Sequence, residues 1–300
     1  MTNNSVTKFN GLIEASYRLS LNEARIVFYG ISLINPLSMD FPLEFNIDIK
    51  RFSDMFNIAK NNVYTAIKQA AMDRFWEREF TFRTDEGKQM RTRWLTGIEY
   101  EDSQGYLKIF INPQLKPFLH QLVSGNFTRY YLENIANFKS VYSVRFYEIA
   151  IMELKRSKQN KWKFKLKIKM IKEKLDIQDK YKRFSNFKAV VLEPAKKEIN
   201  KHSDINFNYH VIKLGRSPHE VEFIVSMKGQ KSLISDQNNP SKLPPSVLEA
   251  AKKITLEANT GWDIYAIEQQ FYDYIRKKGQ PESIEGAFLG FVKKKVTKKP

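Results

Sequence analysis

The sequence predicts an α+β protein made of two tandem winged-helix domains, each a helix-turn-helix followed by a β-hairpin wing, and a small C-terminal helical appendage. Three observations carry this prediction. Helical and strand periods follow one another in the order helix, strand, helix, tight turn, helix, hairpin. The same order recurs at an offset of about 119 residues. Of the 300 residues, 42% are hydrophobic and 13% aromatic, which is enough for the cores of two or three domains.

The first helix is predicted over residues 20–34. Ser20 and Glu23 have the S-x-x-E spacing of a capping box, in which each side chain satisfies a backbone donor of the other residue. Asn35 and Pro36 end this helix. The next stretch, "LEFNIDI" (43–49), alternates apolar with polar residues, which is typical of a half-buried strand.

Residues 49–57 and 61–74 are predicted to form the two helices of a helix-turn-helix. The strands "EFTFR" and "TRWLTGIEY", joined by a polar loop around Gly87, are predicted to form the wing, and "YLKIFI" a third strand. The second helix has an apolar stripe made of Val63, Ile67, Ala70, Ala71 and Phe75.

An internal repeat supports the tandem arrangement. The stretch "FYGISLI" (28–34) is similar to "FYEIAIM" (146–152), and "IDIKRFSDMFNI" (47–58) aligns without a gap with "LKIKMIKEKLDI" (166–177). The second wing is predicted from "NFNYHVI" and "EVEFIVSM", joined by "KLGRSPH". After a longer turn, the stripe Val63, Ile67 and Ala71 aligns with Phe187, Val191 and Ala195. The alternative to a repeat is chance similarity between amphipathic helices.

The second recognition helix is predicted within "DKYKRFSNFKAVVLEPAKKEINKHSD" (179–204), which has one apolar face. Pro194 lies in the middle, where a missing donor and a steric clash cost about 3 kcal/mol in a helix interior. The residues alone leave two interpretations open. Either Pro194 bends one helix so that its basic half follows a groove, or Glu193 ends one helix and Pro194 begins another.

The C-terminal part has a different composition. The stretch "GQKSLISDQNNPSKLPPS" (229–246) is typical of a linker, and helices are predicted around 264–275 and 288–292. We therefore predict an N-terminal domain, a C-terminal domain, a linker and an appendage of unassigned role. Their predicted bounds are 1–131, 132–228, 229–244 and 245–300.

Charge indicates the class of partner. The 50 Lys and Arg exceed the 33 Asp and Glu, giving a net charge of +17, which favours a polyanion. The absence of Cys excludes disulfides and thiolate metal sites and fits a reducing cytoplasm. With no signal peptide or bilayer-length apolar run in the sequence, we expect a cytoplasmic protein without a membrane partner.

No catalytic constellation is recognisable. Neither "EGKQ" nor "KGQKS" supplies the phosphate-binding loop G-x-x-x-x-G-K-[ST]. The histidines lack the pairing of a metal site, so we expect no enzyme activity, cofactor or metal. They are His120, His202, His210 and His219.

Two basic features adjoin the second recognition helix. The stretch "KWKFKLKIK" alternates strictly, which places Lys161, Lys163, Lys165 and Lys167 on one face of a strand. We expect this lysine face to contact phosphates, the alternative being a merely solvated face. Arg216 follows Gly215 at the tip of the second wing, where it can reach a minor groove or a phosphate, or be an ordinary surface residue.

Three stretches together resemble a known family. They are "NGLIEASYRLSLNEARI" (10–26), "SVRFYEI" (143–149) and "FKAVVLEPAKKEIN" (187–200), the last followed by "GR". This order is similar to that of the iteron-binding plasmid replication initiators, the theta-type Rep proteins with two winged-helix domains. The resemblance covers residues 6–228. The proline in the second recognition helix is part of the family pattern, which favours a tolerated bend.

The resemblance implies a mechanism. Monomers would bind tandem repeats of double-stranded DNA at a plasmid origin, help melt an adjacent AT-rich region, and recruit the host initiator and replicative helicase. Homodimers formed through the N-terminal domain would repress the protein's own gene. The helix at 182–197 would be the main base reader and the helix at 61–74 would lie on a neighbouring groove face. Besides the lysine face, the expected DNA-binding residues are Lys182, Arg183, Asn186, Lys188, Lys196, Lys197 and Arg216, with Lys60, Asn61, Asn62, Tyr64, Thr65 and Lys68 in the first domain.

Rival hypotheses come from other classes. A winged-helix transcriptional repressor would share the fold without supporting replication. A rolling-circle nickase would form a covalent tyrosine adduct with a metal, against which the unpaired histidines argue. A membrane-surface protein would bind anionic vesicles without preferring DNA.

Overall fold

The computed structural model describes residues 5–34, 41–72, 74–84, 86–100, 105–119, 126–228, 243, 245–278, 281 and 283–297. The chain divides into two compact units. One is drawn from Met1–Ile34 and Pro42–Lys228 and contains both winged-helix domains. The other is drawn from Asn35–Phe41 and Gly229–Pro300.

The N-terminal domain contains three small antiparallel sheets around a helical layer. β2, β6 and β5 form a three-stranded sheet, β3 pairs with β4, and β1 pairs with β7. In chain order its elements are β1 (Ser5–Phe9), α1 (Asn10–Glu14), α2 (Leu21–Ser32), β2 (Glu44–Asp48), α3 (Ile49–Phe56), α4 (Lys60–Met72), β3 (Glu79–Arg83), β4 (Gln89–Arg93), β5 (Leu95–Tyr100), β6 (Tyr106–Ile111), α5 (Lys116–Leu119) and β7 (Phe127–Tyr131).

The capping box of α2 is confirmed. The backbone N–H of Ser20 donates to the Glu23 carboxylate at 2.6 Å, and the N–H of Glu23 donates to the Ser20 hydroxyl at 3.3 Å. The Glu23 carboxylate also accepts hydrogen bonds from the Arg78 guanidinium at 3.1 and 3.2 Å. Glu23 therefore fixes the start of α2 and ties it to the segment before β3. The predicted stop at Asn35 and Pro36 lies outside the described residues.

The prediction that "TRWLTGIEY" forms one strand is wrong. The chain leaves β4 at Arg93 and enters β5 at Leu95, which belongs to a different sheet. Trp94 causes this change of sheet because its side chain turns into the core, where its ring lies 4.5 Å from Phe80 and 5.3 Å from Tyr17. The wing of the first domain is therefore the β5–β6 hairpin, and β3–β4 is an additional hairpin.

The C-terminal domain repeats the plan of the first. β8, β10 and β9 form a three-stranded antiparallel sheet in that order. Gly215, with a φ of 61°, and Arg216 connect β9 to β10, a tighter turn than the predicted loop. Its elements are α6 (Glu133–Ala136), α7 (Val141–Ser157), β8 (Lys161–Lys167), α8 (Ile168–Lys174), α9 (Phe184–Phe187), α10 (Glu193–His202), β9 (Ile205–Leu214) and β10 (Ser217–Met227).

The predicted repeat is confirmed at its joint between strand and helix. In each copy a strand ends and a helix begins at the next residue, Ile49 in the first copy and Ile168 in the second. In each copy a residue just after this helix has a left-handed backbone. These residues are Asn57, with a φ of 49°, and Asp176, with a φ of 52°. Asn and Asp tolerate this conformation better than other non-glycine residues. The two copies therefore share a backbone path as well as an apolar pattern.

Glu148 of α7 lies buried where the two winged-helix domains meet. Its carboxylate pairs with the ammonium group of Lys8, and the Tyr130 hydroxyl donates to it at 2.7 Å. The Arg145 guanidinium lies 3.3 Å away. Burial raises the pKa of Glu148, but Lys8 and Arg145 outweigh burial, so that its pKa is held below the ordinary value. Burial lowers the pKa of Lys8 to about 8 despite the pull of Glu148.

Arg145 connects the backbones of both domains. Its guanidinium donates to the carbonyl oxygens of Ile13 at 3.0 Å and Ala15 at 2.8 Å, and more weakly to that of Lys174 at 3.4 Å. It also donates to the Tyr17 hydroxyl and lies 3.8 Å from the Tyr17 ring centroid. These bonds join the end of α1 to α7 and α8, so Arg145 positions one domain on the other.

The C-terminal unit is a cluster of three helices around one apolar core. The two predicted helices are confirmed as α12 and α13, and a third, α11, was missed. The predicted linker lies outside the described residues apart from Leu243. The helices are α11 (Pro245–Ala258), α12 (Ile264–Lys278) and α13 (Ile284–Lys295), and their buried residues include Ala251, Ile264, Ile267, Phe271, Ile275, Phe288 and Val292.

The junction makes a testable prediction about stability. Glu148→Gln removes the anion between two buried cations, and breaking a buried pair costs about 3–5 kcal/mol, so the urea midpoint is expected to fall sharply. Glu222→Gln is the control, because its partner Lys165 is exposed and 3.8 Å away, and such pairs contribute up to about 1 kcal/mol. Equal losses from the two substitutions would contradict this role of Glu148.

The same site predicts a pH dependence. Because the folded pKa of Glu148 lies below its ordinary value of 4.5, the unfolded chain takes up this proton first as the pH falls. The contribution of Glu148 to stability is therefore present above that value and lost as the pH falls through its folded pKa. Urea titrations of Glu148→Gln should show a shallower loss of stability in this acid range than the native chain.

Candidate nucleic-acid interface

The second recognition helix is built from three consecutive segments. α9 is followed by a π-helical turn at Lys188–Leu192, which leads directly into α10. One side packs on the core of the domain, and Tyr209 of β9 reaches the helix from the sheet. The fully buried side chains of this helix are Phe187, Val191, Leu192, Ala195 and Ile199.

The structure decides between the two interpretations of Pro194. Leu192 and Glu193 both have right-handed helical backbones, so the helix isn't interrupted before the proline. The N–H of Glu193 donates to the carbonyl of Lys188, five residues earlier, which is the bond of a π turn. The wider turn accommodates the missing donor of Pro194 within one continuous helix. Pro194 therefore does not begin a separate helix.

The apolar spacing contains a signal for this π turn that sequence reasoning missed. The buried residues Phe187, Val191, Ala195 and Ile199 are each four apart. On a helix of 3.6 residues per turn, three steps of four drift by about 120°. A π turn takes more residues per turn and reduces that drift, so all four side chains can face the core.

The opposite side of this helix exposes predicted DNA-binding residues. Lys182, Arg183, Asn186 and Lys197 are exposed, and among the described residues their side chains have no hydrogen bond or ion pair. Asn186 and Lys197 lie on the helix, whereas Lys182 and Arg183 lie just before it, because the helix begins at Phe184 and not at the predicted Lys182. These four side chains are therefore free to meet a ligand.

Two other predicted residues of the helix are engaged. The ammonium group of Lys188 lies 3.7 Å from the Glu193 carboxylate, which also accepts a 2.7 Å hydrogen bond from the Tyr209 hydroxyl. Burial raises the pKa of Tyr209, and its bond to Glu193 raises it further. Lys196 lies 5.9 Å from the Tyr209 ring centroid. The sequence did not predict that Glu193 pairs with Lys188 and partly neutralises its charge.

The equivalent helix of the first domain, α4, also has a buried and an exposed side. Val63 and Ile67 are buried, while the predicted residues Asn62, Tyr64, Thr65 and Lys68 are exposed. The Lys68 ammonium lies 5.9 Å from the Tyr100 ring centroid of the wing. The side chains of Lys60 and Asn61 lie outside the described part of the structure.

The lysine face and the recognition helix lie on different sides of a sheet. The predicted alternation in β8 is confirmed, with the four lysines exposed and Trp162, Phe164 and Leu166 partly buried. Phe164 stacks on Phe223, which faces α7 through Phe146. The lysines share the outer face with Glu220 and Glu222 of the neighbouring strand β10, which lie opposite Lys167 and Lys165. The structure therefore does not bring this face together with the recognition helix.

The second wing presents exposed residues at its tip. Arg216 is exposed beside Gly215, as predicted, and Leu214 is exposed as well.

Among the described residues, no group of three or more His, Cys, Asp or Glu side chains could hold a metal ion. In the same described part of the chain, no helix combines the length and the apolar character needed to cross a membrane.

Comparisons with known proteins agree on the two domains. A family model described as "Initiator Replication protein, WH1" matches residues 5–151, and one described as "Initiator Rep protein, WH2" matches residues 167–225. A replication initiation protein of Escherichia coli is 26% identical over 302 residues, covering 97% of this chain and 90% of that protein.

A solved structure supports the fold. The crystal structure of the Pi initiator protein in complex with iteron DNA has a TM-score of 0.64 and covers 76% of this chain and 99% of that one. The sequence identity is 19%. This likeness confirms the predicted fold class of two winged-helix domains.

The π turn makes a prediction about Pro194. Pro194→Ala restores a donor four residues after Val190 and favours an α turn at this point, which would shift the exposed side chains of the preceding turn of the helix. We expect stability to rise by about 1 kcal/mol and affinity for specific DNA to fall about tenfold, the equivalent of 1.4 kcal/mol. Thermal melts and gel shifts measure both. Pro113→Ala, at an exposed proline of the first domain, is the control, and unchanged DNA affinity in Pro194→Ala would contradict the prediction.

Proposed function

Because both domain models match, the chain belongs to the replication initiator proteins with two winged-helix domains, and we propose that it initiates plasmid replication by binding iterons. The fold and family carry the general role. The binding of tandem repeats rests on one observation: among the described residues, Lys182 and Arg183 just before the second recognition helix and Asn186 on it are exposed and unpaired. Recognition helices in this fold class place such side chains in the major groove.

In this proposal the second domain is the main reader. Asn186 is suited to a bidentate contact with adenine, and Lys182, Arg183 and Lys197 to phosphates or guanine. Lys188 makes a weaker contribution because Glu193 shares its charge. The first domain places α4, with Asn62, Thr65 and Lys68, on a neighbouring groove face. Arg216 contacts the backbone or the minor groove from the wing tip.

The wider role has three proposed parts. As a monomer the protein opens the origin and recruits the host initiator and replicative helicase. As a homodimer formed through the N-terminal domain it represses its own gene. The resemblance to theta-type initiators suggests these parts, and the 26% identical replication initiation protein supports the role in initiation alone. We further propose that the protein acts in the cytoplasm and catalyses no reaction itself.

Binding to direct repeats tests the proposal. We expect short direct repeats next to the encoding gene. Placed in a labelled duplex, such repeats are expected to bind at least 10³-fold more tightly than a scrambled duplex, as specific sites usually do. Fluorescence anisotropy at fixed salt measures this ratio. A plasmid carrying the repeats and the gene should then replicate. Specific binding without replication would favour a transcriptional repressor, and equal binding to both duplexes would overturn the proposal.

Base reading at Asn186 gives a sharper prediction. Asn186→Ala is expected to weaken repeat binding by about 1–3 kcal/mol while sparing binding to scrambled DNA, because a bidentate base contact is lost. Lys188→Ala should cost less, since its charge is shared with Glu193. Anisotropy on both duplexes separates the two effects. Equal losses on repeat and scrambled DNA would move Asn186 to the residues that contact phosphates.

Salt dependence tests the two basic surfaces separately. Each lost phosphate contact makes the slope of log affinity against log salt shallower by about 0.9. Changing Lys182 and Arg183 to Ala should therefore reduce the slope by roughly 2 units on a duplex with one repeat.

Changing Lys163 and Lys165 to Ala should reduce the slope only on a duplex with tandem repeats. These lysines lie on the outer face of the sheet, away from the recognition helix. We therefore expect them to contact a neighbouring segment of DNA and not the segment that the helix binds. The fold is expected to survive, since Phe164 and Leu166 are untouched. An unchanged slope on both duplexes would make the lysine face a solubility feature.

A further inference from the structure

Val190 is an apolar side chain on the exposed side of the second recognition helix. Its side chain is 46% exposed, whereas the next two residues, Val191 and Leu192, are fully buried. Single exposed apolar residues are common on protein surfaces, so exposure alone indicates nothing. A β-branched residue is also a weaker helix former than most, so helix propensity does not favour valine here. Its position on the helix is what distinguishes it.

Val190 continues the ridge that carries the free polar residues. Asn186 and Val190 are four residues apart, which places them on one side of the helix, and Arg183 lies just before the first turn of that helix. Val190 lies in the middle of the π turn, at Lys188–Leu192. That turn directs Val191 and Leu192 together to the core and leaves Val190 on the outside. Val190 is therefore an apolar position on an otherwise polar and cationic ridge.

The charge around this ridge selects the partner. Lys182, Arg183 and Lys197 are exposed and unpaired within the described residues, which favours a polyanion over an apolar protein surface. In the major groove of DNA, the apolar group that a base edge presents is the C5-methyl group of thymine. Short aliphatic side chains make this contact with thymine.

We propose that Val190 packs on the C5-methyl group of a thymine in the repeat and so selects a T·A pair at that position. The inference rests on the proposed binding of repeat DNA and adds one specificity-determining residue to it. Asn186, one turn earlier, reads a neighbouring pair by hydrogen bonds. The ridge thus combines a polar and an apolar reader, and the apolar one adds discrimination without adding charge.

Substitution of single thymines by deoxyuridine tests this contact. Deoxyuridine lacks only the C5-methyl group and keeps the hydrogen-bonding edges. Placed at each thymine of a one-repeat duplex in turn, it should lower the affinity of the native chain about fourfold at one position, the equivalent of about 0.8 kcal/mol for one buried methyl-sized group. Anisotropy titrations at fixed salt measure each duplex.

The variant Val190→Ala completes the cycle. It should lose about fourfold affinity on the thymine duplex and show no further loss with deoxyuridine at that position. Val190→Thr, of similar shape, should keep part of the sensitivity. Leu256→Ala, at a 65% exposed apolar residue of α11, is the matched control and should keep the native pattern. Circular dichroism confirms that each variant is folded.

The outcomes separate the inference from the function it rests on. If the native chain prefers the repeat but Val190→Ala keeps the deoxyuridine sensitivity at every position, the contact is overturned and repeat binding stands. Equal losses of Val190→Ala on repeat and scrambled DNA would also overturn it. If the native chain shows no preference for the repeat, the proposed function fails first and the inference with it.

Discussion

The balance of charge around Glu148 is the interaction on which the rest of the structure depends. This one carboxylate compensates two buried cations, Lys8 of the first domain and Arg145 of the second. Without it, both cations would remain buried without an anion, which costs several kcal/mol. Because Arg145 also holds carbonyl oxygens of Ile13 and Ala15, the same charge balance fixes α1 against α7. Both recognition helices belong to the compact unit that this junction holds together.

Much of the fold could be predicted from the sequence because its signals are local. The capping box at Ser20, the alternation in β8 and the repeated joint between strand and helix at Ile49 and Ile168 depend on neighbouring residues. The change of sheet at Trp94 could not be predicted, because a strand pattern does not show which partner a strand will choose. The pairing of β1 with β7 joins the first and last strands of the N-terminal domain, which are far apart in sequence, so no local period predicts it.

The candidate site was predicted by composition and refined by contacts. Charge and helical period identified the exposed side of the second recognition helix, including Asn186, and the basic residues Lys182 and Arg183 that precede it. They could not show that Lys188 shares its charge with Glu193, because that pairing depends on how Tyr209 holds the carboxylate. They also could not separate the lysine face from the helix, since a strand's alternation defines two faces but not what packs on each. Val190 was overlooked because an apolar residue beside Val191 and Leu192 looks like core.

The π turn before Pro194 has a consequence for how this protein can change its recognition. A π turn is equivalent to one residue added to an α-helix. The helix therefore keeps the core contacts of Phe187 before the turn and Ile199 after it, while different side chains are exposed on its outer surface. Substitutions on that surface alter one contact each. Deletion or insertion of a single residue there would instead present a different row of side chains to the partner in one step. Chain length in this short segment, as much as side-chain identity, therefore sets which side chains the helix presents to its partner.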